Sequence, residues 1–61
     1  MQFDNKITTQ ELEDAAWHVW LLYEAGNLAK GDKVRLQYVD YFRYRDPQFN
    51  ATAFNADCRT P

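Results

Sequence analysis

Apolar residues first gather into a pattern at Leu12, Ala15, Ala16, Val19, Trp20, Leu22 and Tyr23, which share one broad arc of a helical wheel. The spacing predicts a long helix over about residues 9–25. Its start is marked twice. Thr8 can cap the first turn, and Glu11 three positions on completes a capping box. Ile7 before the cap can close over Leu12 as a hydrophobic staple. Glu11, Glu13 and Asp14 put negative charge in the early turns, where the helix dipole favours it. Gly26 supplies the stop, because it reaches left-handed backbone at little cost.

The next segment carries two periods at once. Val34, Leu36 and Tyr38 alternate with Arg35 and Gln37 as in a strand, while Val34, Tyr38, Tyr41 and Phe42 fall on one helical face. A strand needs neighbours. No turn dipeptide folds this segment into a hairpin, and the only other strand candidate is the short Gln2–Ile7 stretch. A two-stranded sheet is marginal in water, whereas a helix satisfies its own backbone. The expectation is therefore a second helix over about 32–45. Asp46-Pro47 then reads as a helix start, with Asp as cap and Pro in the first turn. A short third helix over about 47–56 follows, with Phe49, Ala53 and Phe54 near one face and a loose tail from Asp57 to Pro61. The fold class expected is an all-α three-helix domain spanning residues 1–61, the alternative being α+β with residues 33–44 as a strand. The order of a Trp, Tyr23, Gly26 and Asp46-Pro47 with Phe54 beyond is loosely similar to one tetratricopeptide unit. The spacing is a few residues long and the small residue of the second helix is missing, so the resemblance implies a helical hairpin and no function.

Composition bounds what such a domain can be. At 61 residues the core is thin, and a chain this small often needs a staple or a partner. Cys58 is the lone cysteine and His18 the lone histidine, so neither an internal disulfide nor a four-ligand zinc site is expected, nor any cofactor. The 16% aromatic content favours folding over disorder, since each ring can bury a large area. The opening residues hold no apolar run of the secretory kind, and the longest apolar stretch, Ala15–Tyr23, is too short to span a bilayer. With an unpaired cysteine, the expected compartment is the cytoplasm, away from membranes. Overall charge is −2, but residues 1–29 hold five acids against one lysine, and residues 30–61 hold six bases against four acids.

No constellation of catalytic type stands out. His18 lies four residues after Asp14 and can pair with it on the surface; Cys58 has Arg59 beside it but no general base to activate it. Gly26 and Gly31 lack the Lys-Ser/Thr of a phosphate loop. The anomaly is Trp17 and Leu21, an i,i+4 pair on the polar side of the first helix. Either the third helix or the N-terminal arm covers them, or they anchor a partner, with Glu13 and Glu24 as a polar rim. A second candidate is the Arg/Tyr-rich stripe 35–45, whose rings and bases could stack on and hold a nucleic acid. Arg43 and Tyr44 in it equally suit a protein interface. The function expected is a small non-enzymatic protein-binding module, an inhibitor or modulator of a larger machine of the phage or mobile-element type. Its partner would be another protein or a second copy as a homodimer. The alternative is a small nucleic-acid-binding or regulatory domain.

Overall fold

The computed structural model describes residues 7–60, and among them the chain is three helices without a strand. Helix α1 runs Thr9–Glu24, α2 runs Leu28–Arg45 and α3 runs Ala51–Asp57. The all-α reading holds, and the strand alternative for 33–44 falls to a helix. Most of the Gln2–Ile7 stretch lies outside the described residues.

Helix α1 begins where its polar signals place it. The Thr8 hydroxyl oxygen accepts from the Glu11 backbone N–H at 3.0 Å. The reciprocal half of the capping box does not form, because the Glu11 carboxylate reaches across to Arg45 instead. At the other end Asn27 N–H donates to Leu22 C=O at 2.9 Å and Gly26 N–H to Tyr23 C=O at 3.0 Å. This is the Schellman pattern, and Gly26 takes its left-handed position at φ 79°.

The connection is shorter than the spacing predicts. Helix α2 starts at Leu28, four residues before the expected Asp32, and runs through Gly31. Glycine weakens a helix by roughly 1 kcal/mol, so the local signal argues for a later start. The packing decides otherwise. The Tyr23 ring lies against Gly31 so closely that a β-carbon there would stand 2.6 Å from Tyr23 Cε1. Cross-contacts then pair Tyr23 with Asp32, His18 with Tyr38 and Glu11 with Arg45. One number rises as the other falls, so α1 and α2 form an antiparallel hairpin.

The Asp46-Pro47 step ends α2 rather than starting α3. Asp46 is extended at φ −142° and ψ 104°, as the residue before a proline tends to be. Its carboxylate accepts from the Gln48 backbone N–H at 2.9 Å, closing a turn. Asn50 is the true cap of α3, accepting from the Ala53 N–H at 3.1 Å. The expected helix over 47–56 is therefore corrected to Ala51–Asp57.

Ala15, Ala16 and Val19 from α1, Val39 and Phe42 from α2, and Phe54 and Cys58 from the third element form the buried core. Leu12, Trp20, Leu22 and Tyr23, also placed on the core face, are half-buried. Tyr41, counted with the inner face of α2, lies at its edge and is exposed. Cys58, expected in a loose tail, is fully buried.

Candidate functional site

Glu13, Trp17 and Leu21 follow one another a turn apart along α1, and Glu24 comes three residues later on the same side. No part of the described chain seals them. Trp17 is 48% exposed and Leu21 59%, while Glu13 and Glu24 are exposed at either end of the pair. Of the two covers expected for the pair, α3 leaves half of the indole exposed, and residues 1–6 of the N-terminal arm lie outside the described residues. Glu13, Ala16, Trp17 and the Asp57 side chain line a groove of about 430 Å³ where the end of α3 meets α1. Ala16 keeps the floor low, since a larger side chain would fill it. Asp57 has no signal in the sequence as a surface partner of Trp17; only the docking of α3 brings it there.

The Arg/Tyr stripe of 35–45 is split by the fold. Arg35 turns inward and cross-links all three helices. It donates to Tyr23 Oη at 3.3 Å and to Asn55 Oδ1 at 2.9 Å, and lies 3.8 Å from Asp32 Oδ1. Tyr23 Oη in turn donates to Asp32 at 2.6 Å. Burial, then the Asp32 bond, raises the Tyr23 pKa above its ordinary value. Arg45 donates to Glu11 Oε2 at 2.7 Å and lies 5.6 Å from the Tyr41 ring centre. Tyr38 and Phe42 pack in the aromatic core. Of the three arginines, Arg43 alone makes no hydrogen bond or ion pair among the described residues. Arg43 and Tyr44 are exposed on α2, and no hydrogen bond joins them to the α1 stripe.

His18 does not pair with Asp14 as its spacing predicts. Its Nδ1 lies 2.8 Å from Tyr38 Oη across the helix seam. The i+4 offset allows the Asp14 contact, but the phenol of α2 offers a hydrogen bond with an edge-on ring contact at 5.8 Å. An open groove of about 440 Å³ runs beside this pair, lined among others by Asp14, Tyr41 and Arg45. The sequence carries no sign of it, because its two walls lie twenty or more residues apart. Burial pushes the Cys58 thiol up to about 11, with Arg35 opposing weakly. At neutral pH it is a thiol and a poor nucleophile. Among the described residues no three His, Cys, Asp or Glu side chains gather as a metal site, and no helix is long and apolar enough to cross a membrane.

Compared with known proteins, the chain matches no family model, no curated protein and no solved structure.

Proposed function

We propose that this chain is a small non-enzymatic protein-binding module that occupies a surface of a larger protein machine as an inhibitor or modulator of the phage or mobile-element type. The observation that carries the reading is the half-exposed Trp17 with Leu21 one turn on, flanked by Glu13 and Glu24. Tryptophan is enriched where interfaces concentrate their energy, and a polar rim around such an anchor helps exclude water. The non-enzymatic reading is supported by the two groups best suited to chemistry. The His18 Nδ1 is committed to Tyr38, and the Cys58 thiol is sealed in the core. The cytoplasm fits a thiol with no disulfide partner. Exposed Arg43 and Tyr44 offer a second, separate candidate contact on α2, toward either another protein or a second copy.

Nucleic-acid binding through 35–45 draws less support. Arg35 and Arg45 each direct part of the guanidinium to partners within the fold, so the stripe offers a diminished basic footprint. Salt separates the two readings, since phosphate contacts weaken steeply as salt rises and an apolar anchor does not.

The test is a Trp17→Ser, Leu21→Ser double variant, read by thermal unfolding, size-exclusion chromatography and capture of partners from host lysate at low and high salt. Captured protein should disappear while the melting temperature stays within a few degrees, because half-exposed side chains contribute only part of the roughly 1.5–3 kcal/mol of full burial. A collapse of stability with capture unchanged would mark the pair as structural and end the interface reading.

A further inference from the structure

We infer that the groove between α1 and α3 receives a cationic side chain, an arginine or lysine, projecting from the partner protein beside an apolar residue that meets Leu21. The inference rests on the protein-binding reading above and adds the chemistry of the partner.

Among the described residues four line the groove, and they have complementary parts. Trp17 offers a half-exposed indole, the ring that attracts cations most strongly. Glu13 from α1 and Asp57 from the end of α3 line the same groove, so two acidic residues share it with the ring. Ala16 is buried and contributes only a methyl, which leaves about 430 Å³ of open space. Among the described residues no basic one lines it. Among the described residues two acids pair with bases, Glu11 with Arg45 across the helices and Asp32 with Arg35 along α2. Glu13, Asp14, Glu24, Asp40, Asp46 and Asp57 make no ion pair, and of these Glu13 and Asp57 share the groove beside the indole. A partner's cation would supply both the counter-charge and the cover for the indole.

The same charges argue against a second copy as the occupant. A twofold dimer places each patch on its own image. Glu13, Glu24 and Asp57 would then face Glu13, Glu24 and Asp57, and like charges brought together across an interface are costly. A basic partner meets no such penalty.

The experiment is selection of a randomised peptide display library on the immobilised full chain. Three variants run in parallel: Glu13→Gln with Asp57→Asn, Trp17→Ser, and Asp14→Asn with Asp40→Asn. The last makes the same change in net charge away from the groove. Peptides selected on the unaltered chain should be enriched in arginine or lysine next to an apolar residue. They should weaken at least about tenfold on the Glu13/Asp57 variant, lose binding on Trp17→Ser, and stay within about twofold on the Asp14/Asp40 control. Trp17-dependent peptides without that cationic enrichment would overturn the inference and leave the protein-binding reading standing. Equal weakening on the Asp14/Asp40 control would reduce the effect to overall charge and overturn it too. If no selected peptide depends on Trp17, both readings fall together.

Discussion

The Cys58 side chain is closed off in the core beside Phe54, two residues short of the end of the described chain. Nothing about a cysteine followed by Arg59-Thr60-Pro61 announces this. The tail reads as loose because it lacks periodicity, and it is held because α3 ends against the hairpin. Thr60 N–H and Arg59 N–H both return to Ala56 C=O, fastening the last turn. Burial raises the thiol pKa to about 11 from an ordinary 9.0. The folded state therefore prefers the neutral thiol more than the unfolded state does. The resulting stability is complete below pH 9 and is lost as pH climbs through 9 toward 11. Tyr23, also shifted upward, adds a loss in the same direction. Melting temperature measured from pH 8 to 11 should fall, and Cys58→Ala should show a shallower decline from a lower starting value. An unchanged slope in that variant would mean the thiol is not sealed as described. The anchor pair behaves differently. Trp17 and Leu21 are legible from the helical wheel alone, because the other large apolar residues of α1 share one arc and the pair lies outside it.

Among the elements, α1 was readable to within a residue at both ends, since its cap, early acids and terminal glycine agree. Helix α2 showed its C-terminal end and hid its start. Local propensity placed Gly31 outside, while the Tyr23 ring needs a residue without a side chain at that point in the hairpin. Gly31→Ala makes the conflict measurable. In an isolated helix the change is worth up to about 1 kcal/mol of stabilisation. Here the added methyl meets Tyr23 Cε1 and Cδ1 at 2.6 and 2.7 Å, so the ring must shift. Overpacking of this kind costs about 1–3 kcal/mol, and the net effect in urea unfolding should be destabilising. In a Tyr23→Ala background the same change should become neutral or stabilising; destabilisation in both backgrounds would refute the steric account. For α3, the Asp-Pro signal was real but belonged to the turn before it, and Asn50 four residues on took the capping role. Both are short polar side chains able to bond a nearby N–H, and only the path of the chain decides which one opens a helix.

At the scale of the whole molecule the three helices meet around Phe42. Its ring centre lies 5.3–5.8 Å from those of Phe49, Phe54, Tyr38 and Tyr41, drawn from α2, the turn and α3. A single core at this size supplies on the order of 3–5 kcal/mol of net stability. Truncating a buried phenylalanine costs a similar amount, about 3–5 kcal/mol. Phe42→Ala should therefore leave the chain largely unfolded at 25 °C by circular dichroism, whereas Tyr44→Ala, at an 89% exposed ring, should leave the melting curve unchanged. A cooperative Phe42→Ala transition near that of the unaltered chain would show that the aromatic cluster is not the keystone. The Arg35 links to Tyr23 on α1 and Asn55 on α3 act at the same scale, turning a segment that reads as a basic stripe into an internal brace.

The chain's own pattern determined where α1 begins and ends and that Trp17 and Leu21 stand apart from the inner face, while 32–45 carried both periods and was read as helix because a strand there had no partner. The features of α1 are consequences of periodicity and capping, which act over one to four residues. Tertiary structure alone decided that α2 starts before Gly31, that Cys58 is core, that Arg35 and Arg45 turn to internal partners, and that Asp57 joins Glu13 beside the indole. Each of those outcomes depends on groups from different helices meeting in space. Side-chain contacts of that range leave no mark in the local order of residues.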